Sequence, residues 1–206
     1  MGTVSARQQE IIAAALDIVS ERGLEGLTMK NIAARVGFSD AAVYRHFKSK
    51  SDILNAMVDR FADSSLRSLR RISAGSRSGT EQIEEFFFDR CRSFAADRAL
   101  ASVMFAEGLF KSDPVLAARV HGVMRDHRRL LLRSIRLDQR RGLLRPLPPE
   151  HIFTIIMGAL RLLFLQWQTG DYAFSLLPAA EKLWRSLQAL IVTQKGETHE
   201  KKNHQN

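Results

Sequence analysis

The stretch Thr28–Lys50, TMKNIAARVGFSDAAVYRHFKSK, decides how this chain is read. Ile32, Ala33 and Val36 fall at helical spacing and form one apolar stripe. Gly37 follows where a helix would end, because glycine accepts left-handed backbone without a Cβ penalty. Ser39 can cap a second helix, whose buried face continues through Val43, His46 and Phe47 at i+4, i+7 and i+8. Ala33 supplies the small side chain that two helices need when they cross steeply over a short turn. The pattern predicts a helix-turn-helix. Lys30, Arg45, Lys48 and Lys50 flank Tyr44 and His46, so cations and hydrogen-bonding groups gather where a duplex would lie. Ser49 and Asp52 form a capping pair that puts Lys50 in the first turn of the next helix. There its ammonium and the unpaired backbone N–H groups can receive a phosphate together. Taken singly, each of these residues has an ordinary surface or core explanation. Their coincidence at this spacing carries the DNA reading.

The same residues resemble a known family. From about Arg7 to Leu54 the chain is similar to the DNA-binding domain of the tetracycline-repressor (TetR) family of bacterial transcription regulators. The matching pieces are QQEIIAAALDIVSERGLEGLT (residues 8–28), IAARVGFS (32–39) and VYRHFKSKSDIL (43–54). The resemblance covers roughly the first quarter of the chain; the remainder matches only in length and helical character. It implies base-reading roles for Lys30, Asp40, Ala41, Ala42, Tyr44 and Arg45, and phosphate contacts for Thr28, Ser39, Tyr44, His46 and Lys50. Asp40 is unusual on a DNA face. It either repels phosphates or accepts a bond from a cytosine amino group.

Charge alone does not make the DNA argument. The chain of 206 residues has a net charge of +9, yet residues 1–50 hold seven Lys/Arg against five Asp/Glu. Most of the excess is therefore further on, in arginines between Arg60 and Arg77 and between Arg125 and Arg145. These read as solvated helix faces, or, for Arg67, Arg70 and Arg71, as an extension of the electrostatic footprint toward DNA. Cys91 is the single cysteine, which rules out an intramolecular disulfide and suits a reducing cytoplasm. The N-terminus lacks the basic-then-apolar pattern of a secretory signal. The longest apolar run, Ile152–Trp167, is interrupted by Thr154, Arg161 and Gln166 and falls short of the roughly 20 residues that span a bilayer. A cytoplasmic protein without a membrane span is expected. His121, His127 and His151 are not at metal-ligand spacing, so neither a metal site nor a cofactor is predicted. No glycine-rich phosphate loop or nucleophile elbow is present, which argues against an enzyme. A basic helical binder of membranes or RNA would not need a recognition helix.

Beyond Ser49 the pattern is helix after helix, so the fold class is all-α. The predicted organisation is a three-helix DNA-binding domain at 1–50, a larger helical effector-binding and dimerisation domain at 51–193, and a disordered tail at 194–206. Glu150–Gln168 is apolar almost all round, implying burial on several sides. The last helix spaces Leu176, Ala180, Leu183, Leu187 and Leu190 as a packed seam, broadened by Trp184 and Ile191, while Gly158 allows close approach. Two such helices from each of two chains would make a four-helix dimer interface; a purely internal core is the plainer alternative. Aromatic and flexible residues of the middle helices, among them Met104, Phe105, Phe110, Met124, Met157 and Phe164, are either filled core or the wall of an effector pocket. Arg161, set within the apolar helix, would need an acceptor if buried: Glu107, or the acidic head of a ligand. It could equally reach the surface. The expectation is a ligand-responsive regulator that binds pseudo-palindromic operator DNA as a homodimer and is released by a small, largely apolar effector. Repression is the mode that the resemblance implies.

Overall fold

Three serine and threonine caps set the register of the N-terminal helices. In the computed structural model, which describes residues 5–75, 77–106 and 113–193, Ser5 accepts from the Gln8 amide while the Gln8 side chain accepts from the Ser5 amide. This reciprocal box starts α1 (Ala6–Arg22). A short 3-10 turn, Leu24–Gly26, follows. Thr28 caps α2 (Met29–Val36) by accepting from the Asn31 amide at 3.1 Å, and Ser39 caps α3 (Asp40–His46) by accepting from the Ala42 amide at 3.2 Å. Between them Gly37 has φ +71°, the left-handed conformation that ends α2 and turns the chain. The remaining helices are α4 (Lys50–Ala74), α5 (Gly79–Ala96), α6 (Arg98–Met104), α7 (Pro114–Arg140), α8 (Pro149–Thr169) and α9 (Leu176–Ile191). No strand is present among the described residues beyond one isolated bridge, Leu144 with Val192. The fold is all-α, as predicted.

The chain divides into two packing units. The first takes in the described residues 5–68, 93–106 and 113–126. Its interior joins Ile11, Ala15, Ile18 and Val19 of α1 to Ile32, Ala33 and Val43 of the helix pair and to Ile53, Met57 and Phe61 of α4, all buried. Phe61 stacks on Phe94 at 5.5 Å between centroids, and Phe94 meets Phe105 at the same distance. Asp113 starts α7 by accepting from the Leu116 amide at 2.9 Å. It also receives the Ser51 hydroxyl of α4, a bond that holds its carboxyl below the usual carboxylate range. Arg119 pairs with Asp59, so the first turns of α7 are tied to α4 twice.

The second unit takes in the described residues 69–75, 77–92 and 127–193. Its core is aromatic: Phe86, Phe87, Phe164, Trp167 and Trp184 are buried, with Phe87 and Trp184 at 5.2 Å. Asp138, fully buried on α7, caps α5 by accepting from the Thr80 amide at 2.7 Å and the Thr80 hydroxyl at 2.8 Å. Burial raises the Cys91 thiol to about 12, so this cysteine is an inert core residue.

Several expectations change here. The apolar run at Ile152–Trp167 is the middle of a 21-residue helix, α8, which is long and apolar enough by length and composition to cross a membrane. Its Ile152, Ile156, Leu160, Leu163, Phe164 and Trp167 are nevertheless buried within the second unit. Part of the seam predicted for the dimer is buried within the protomer. Leu176, Ala180, Trp184 and Leu187 are buried in the protomer itself, because α9 turns its apolar stripe onto its own unit, where Trp184 meets Phe87. Gly158 and Leu190 stay exposed and Leu183 half-buried. The tail at 194–206, Glu107 and Phe110 lie outside the described residues.

Candidate nucleic-acid interface

The helix pair presents a polar face because its apolar residues are committed inward. Ile32, Ala33, Val43 and Phe47 are buried. The other residues of the second helix are left outside: Asp40, Ala41, Tyr44 and Arg45 are exposed and Ala42 half-buried, and His46, expected on the buried face, is only half-buried because it lies at the edge of that stripe. Tyr44 keeps 49% of its surface exposed, a large apolar ring with no core to join. Thr28, Lys30, Ser39 and Lys48 are exposed as well. Two alanines beside a tyrosine and an arginine leave room for the backbone of α3 to approach base edges closely, which larger side chains would prevent.

Contacts on either side fix α3. The Gln8 side chain donates to the His46 carbonyl at 3.4 Å, tying the start of α1 to the end of the helix pair. The Arg7 guanidinium lies 5.1 Å from the centroid of the Phe38 ring, which follows the turn glycine. Arg35 pairs with Glu21, and that bond holds the Glu21 carboxyl below its ordinary range. Both side chains sit at the surface, so the pair contributes little to stability. Asp52 and Ser49 cap α4 as predicted: the Asp52 amide donates to the Ser49 hydroxyl at 3.1 Å, and the Lys48 amide donates to the Asp52 carboxylate at 3.0 Å.

Lys50 differs from expectation. Its ammonium donates to the Leu24 carbonyl at 3.0 Å, and the residue is half-buried. The lysine thus fastens the first turn of α4 to the 3-10 turn after α1, and a phosphate would have to share it. Spacing placed it at a helix N-terminus correctly; the acceptor lies 26 residues away in sequence.

The predicted effector residues divide between the two units. Met104 is buried and Phe105 half-buried in the first unit. In the second, Phe164 is buried and Met157 half-buried. Met124 and Arg161 are exposed, because each sits one position off the inward stripe of its helix, after Val123 and Leu160 respectively. Among the described residues the buried cation is Arg90, which sequence reasoning missed. Its guanidinium pairs with Asp89 and lies 6.0 Å from the centroid of the Phe86 ring. Beside it, burial drives His127 down to about 3, so that imidazole is neutral; its ring meets Phe86 edge-on at 5.0 Å. The signal was in the sequence. Phe86, Phe87, Arg90, Cys91 and Phe94 share one helix face, and Leu131, Ile135 and Asp138 another.

Comparison with known proteins agrees with this geometry. Residues 11–57 match the model for bacterial regulatory proteins of the tetR family. The nucleoid occlusion factor SlmA of Haemophilus influenzae is 26% identical over 198 residues, covering 92% of this chain and 88% of that protein. Among solved structures, the ketosteroid transcriptional regulator KstR2 of Mycobacterium tuberculosis superposes with a TM-score of 0.79 at 18% identity, covering 94% of this chain and 98% of that one. The regulator FadR of Bacillus subtilis, in complex with stearoyl-CoA, gives a TM-score of 0.72 at 20% identity, covering 88% of this chain and 97% of the other. At these identities the two structures establish the fold.

Proposed function

The chain belongs to the tetR family of bacterial regulatory proteins, and from that premise we propose that it is a cytoplasmic, ligand-responsive repressor that binds pseudo-palindromic operator DNA as a homodimer. The observation that carries the DNA half is the exposed Ala41–Tyr44–Arg45 surface standing over a buried Val43 and Phe47. Arg45 and Tyr44 read base edges, with Lys30, Ala41 and Ala42 beside them. Thr28, Ser39, His46, Lys48 and Lys50 meet phosphates, Lys50 while still fastened to Leu24. Asp40 lies at the first position of α3, where a carboxylate favours the helix N-terminus. This gives it a structural reason to be there whatever base it faces. Residues 1–50 act as the reading head and 51–193 as the sensing and dimerising part.

The dimer surface that fits is the uncovered one. On α8, Ile155, Gly158, Leu162 and Leu165 share a face and are all exposed, Leu162 by 54%; on α9, Leu190 is exposed by 61% with Leu183 half-buried. Apolar side chains in this arrangement favour a second copy, whose two-fold axis would present two reading heads to successive major grooves. Leu162→Glu with Leu165→Glu should convert a dimer to a monomer by light scattering; a dimer that persists would move the interface elsewhere.

The effector is a small, largely apolar molecule, consistent with the aromatic interior of the second unit and with the stearoyl-CoA named for FadR. Polar direction would come from Arg90, neutral His127 and the Trp184 indole N–H, which is buried without an acceptor among the described residues. Arg161, being exposed, is not the anchor. An effector acts only through better binding to the dimer geometry that holds the heads out of register. Selection of random duplex DNA by the purified protein tests the core of this reading. Enrichment of a palindrome with half-sites about one helical turn apart is expected; binding without sequence preference would refute it.

A further inference from the structure

One charged surface is used by nothing above. Arg129, Arg133, Arg136 and Arg140 lie on α7 at i, i+4, i+7 and i+11, and all four are exposed. At 3.6 residues per turn they fall within an arc of about 60° and run single file along about 16 Å of helix. Among the described residues, the carboxylate that reaches the row is that of Glu150, 3.7 Å from Arg136 and 2.8 Å from the neighbouring Arg128. Arg129, Arg133 and Arg140 make no ion pair among those residues, although Asp126 lies one turn before Arg129. Like charges three and four residues apart work against a helix. The helix dipole favours Arg140 in the last turn, but that relief has faded by Arg133 and Arg129. The row therefore opposes the stability of its own helix.

Its surroundings narrow the occupant. None of the apolar residues between Arg128 and Arg141 is exposed; Leu130, Leu131, Leu132 and Ile135 are buried. A protein partner would want an apolar or aromatic anchor at the centre of the contact. A lipid surface would want an apolar face to insert. Within the row α7 offers neither, only guanidinium forks at regular spacing, which suit the oxygens of successive phosphates; the exposed Met124, Leu143 and Leu147 come before and after it along the chain. We propose that Arg129, Arg133, Arg136 and Arg140 grip the phosphate backbone of duplex DNA without reading its sequence, as a contact separate from the helix-turn-helix. The phosphates belong either to the flank of the duplex held by the reading head or to a second duplex.

The test uses the full chain with Arg129→Gln, Arg133→Gln and Arg140→Gln together, leaving Arg136 to Glu150. Glutamine is as good a helix former as arginine, so folding, followed by circular dichroism, should be unchanged. Binding to a long random-sequence duplex is measured between about 50 and 200 mM NaCl. The slope of log affinity against log salt should become shallower by about 2.7, about 0.9 for each phosphate that is no longer neutralised. Affinity should fall alike for random duplex and for any motif-bearing duplex. An equal slope in variant and parent overturns the proposal. Arg133→Glu alone should lower the slope too, which serves if the triple variant misfolds.

The same comparison in a Tyr44→Ala, Arg45→Ala background separates the two sites. Residual binding that the triple substitution removes supports the row even if the reading head has been misassigned; residual binding indifferent to the triple substitution overturns it. Two duplexes with different fluorophores that co-diffuse on addition of protein assign the phosphates to a second duplex. A changed slope without co-diffusion assigns them to the flank. If the triple variant instead loses binding to phosphatidylserine vesicles while its DNA slope holds, the surface is a membrane contact and the proposal fails.

Discussion

Gly79→Ala is a one-carbon change with a large expected cost. Gly79 is buried at the start of α5, and a Cβ built on it would lie 2.0 Å from the Ser134 carbonyl oxygen and 3.0 Å from the Asp138 carboxyl carbon. An ordinary contact to that oxygen begins near 3.4 Å, so α5 and α7 must part by roughly 1.4 Å. The obstacle is backbone, and no side-chain rotation relieves it. Parting by that amount lengthens the bonds from the Thr80 amide (2.7 Å) and hydroxyl (2.8 Å) to Asp138 beyond hydrogen-bonding range. Bonds to a charged group contribute about 1.5–3 kcal/mol each, and Asp138 is fully buried, so the loss should be about 3–5 kcal/mol. Urea unfolding at neutral pH and fixed protein concentration measures it. In a cycle with Asp138→Ala, the second substitution should cost far less once Gly79→Ala is present, because both remove the same cap. A loss under about 1 kcal/mol for Gly79→Ala, or simple additivity of the pair, would refute this account of the α5–α7 contact.

Three further outcomes are expected. Gly37→Val should cost about 1–2 kcal/mol by thermal unfolding, purely from the left-handed backbone at φ +71°, since nothing lies within 4 Å of the new Cβ; Gly37→Asn should cost much less. Arg45→Ala should weaken a selected site by about 1–3 kcal/mol with unchanged unfolding, whereas Lys50→Ala should weaken all duplexes alike and also lower stability by removing the bond to Leu24; equal stability of the two variants would separate Lys50 from its tether. His127 is neutral when folded, with its value depressed from 6.5 to about 3. The unfolded chain therefore binds one more proton across that window. Its contribution is complete above about pH 6.5 and is lost by about 1.4 kcal/mol per pH unit on acidification, levelling off near pH 3. His127→Gln should flatten the pH dependence of urea stability by that slope, and an unaltered slope would place the protonation elsewhere.

The sequence by itself determined the helix pair. Thr28, Gly37, Ser39, Ser49 and Asp52 act on backbone groups within four residues of themselves, so their spacing states their role, and the burial of Ile32, Ala33 and Val43 follows from helical period; Val36 and His46, on the same predicted stripes, are only half-buried, and Phe47 is buried just past the end of α3. Tertiary structure decided everything that depends on a partner distant along the chain. Lys50 finds Leu24, Asp138 finds Thr80, and Asp113 finds Ser51 across 26, 58 and 62 residues. No periodicity encodes those pairings. Nor does periodicity say which side of an apolar helix meets its own core. On α8 and α9 the stripes are wide enough for two answers, and packing decided: Trp184, against Phe87, and Leu187 are buried, while Leu162 and Leu190 stay exposed. The same ambiguity sent the buried cation from Arg161 to Arg90: both sit among apolar neighbours, but a rotation of 100° per residue separates an inward guanidinium from an outward one.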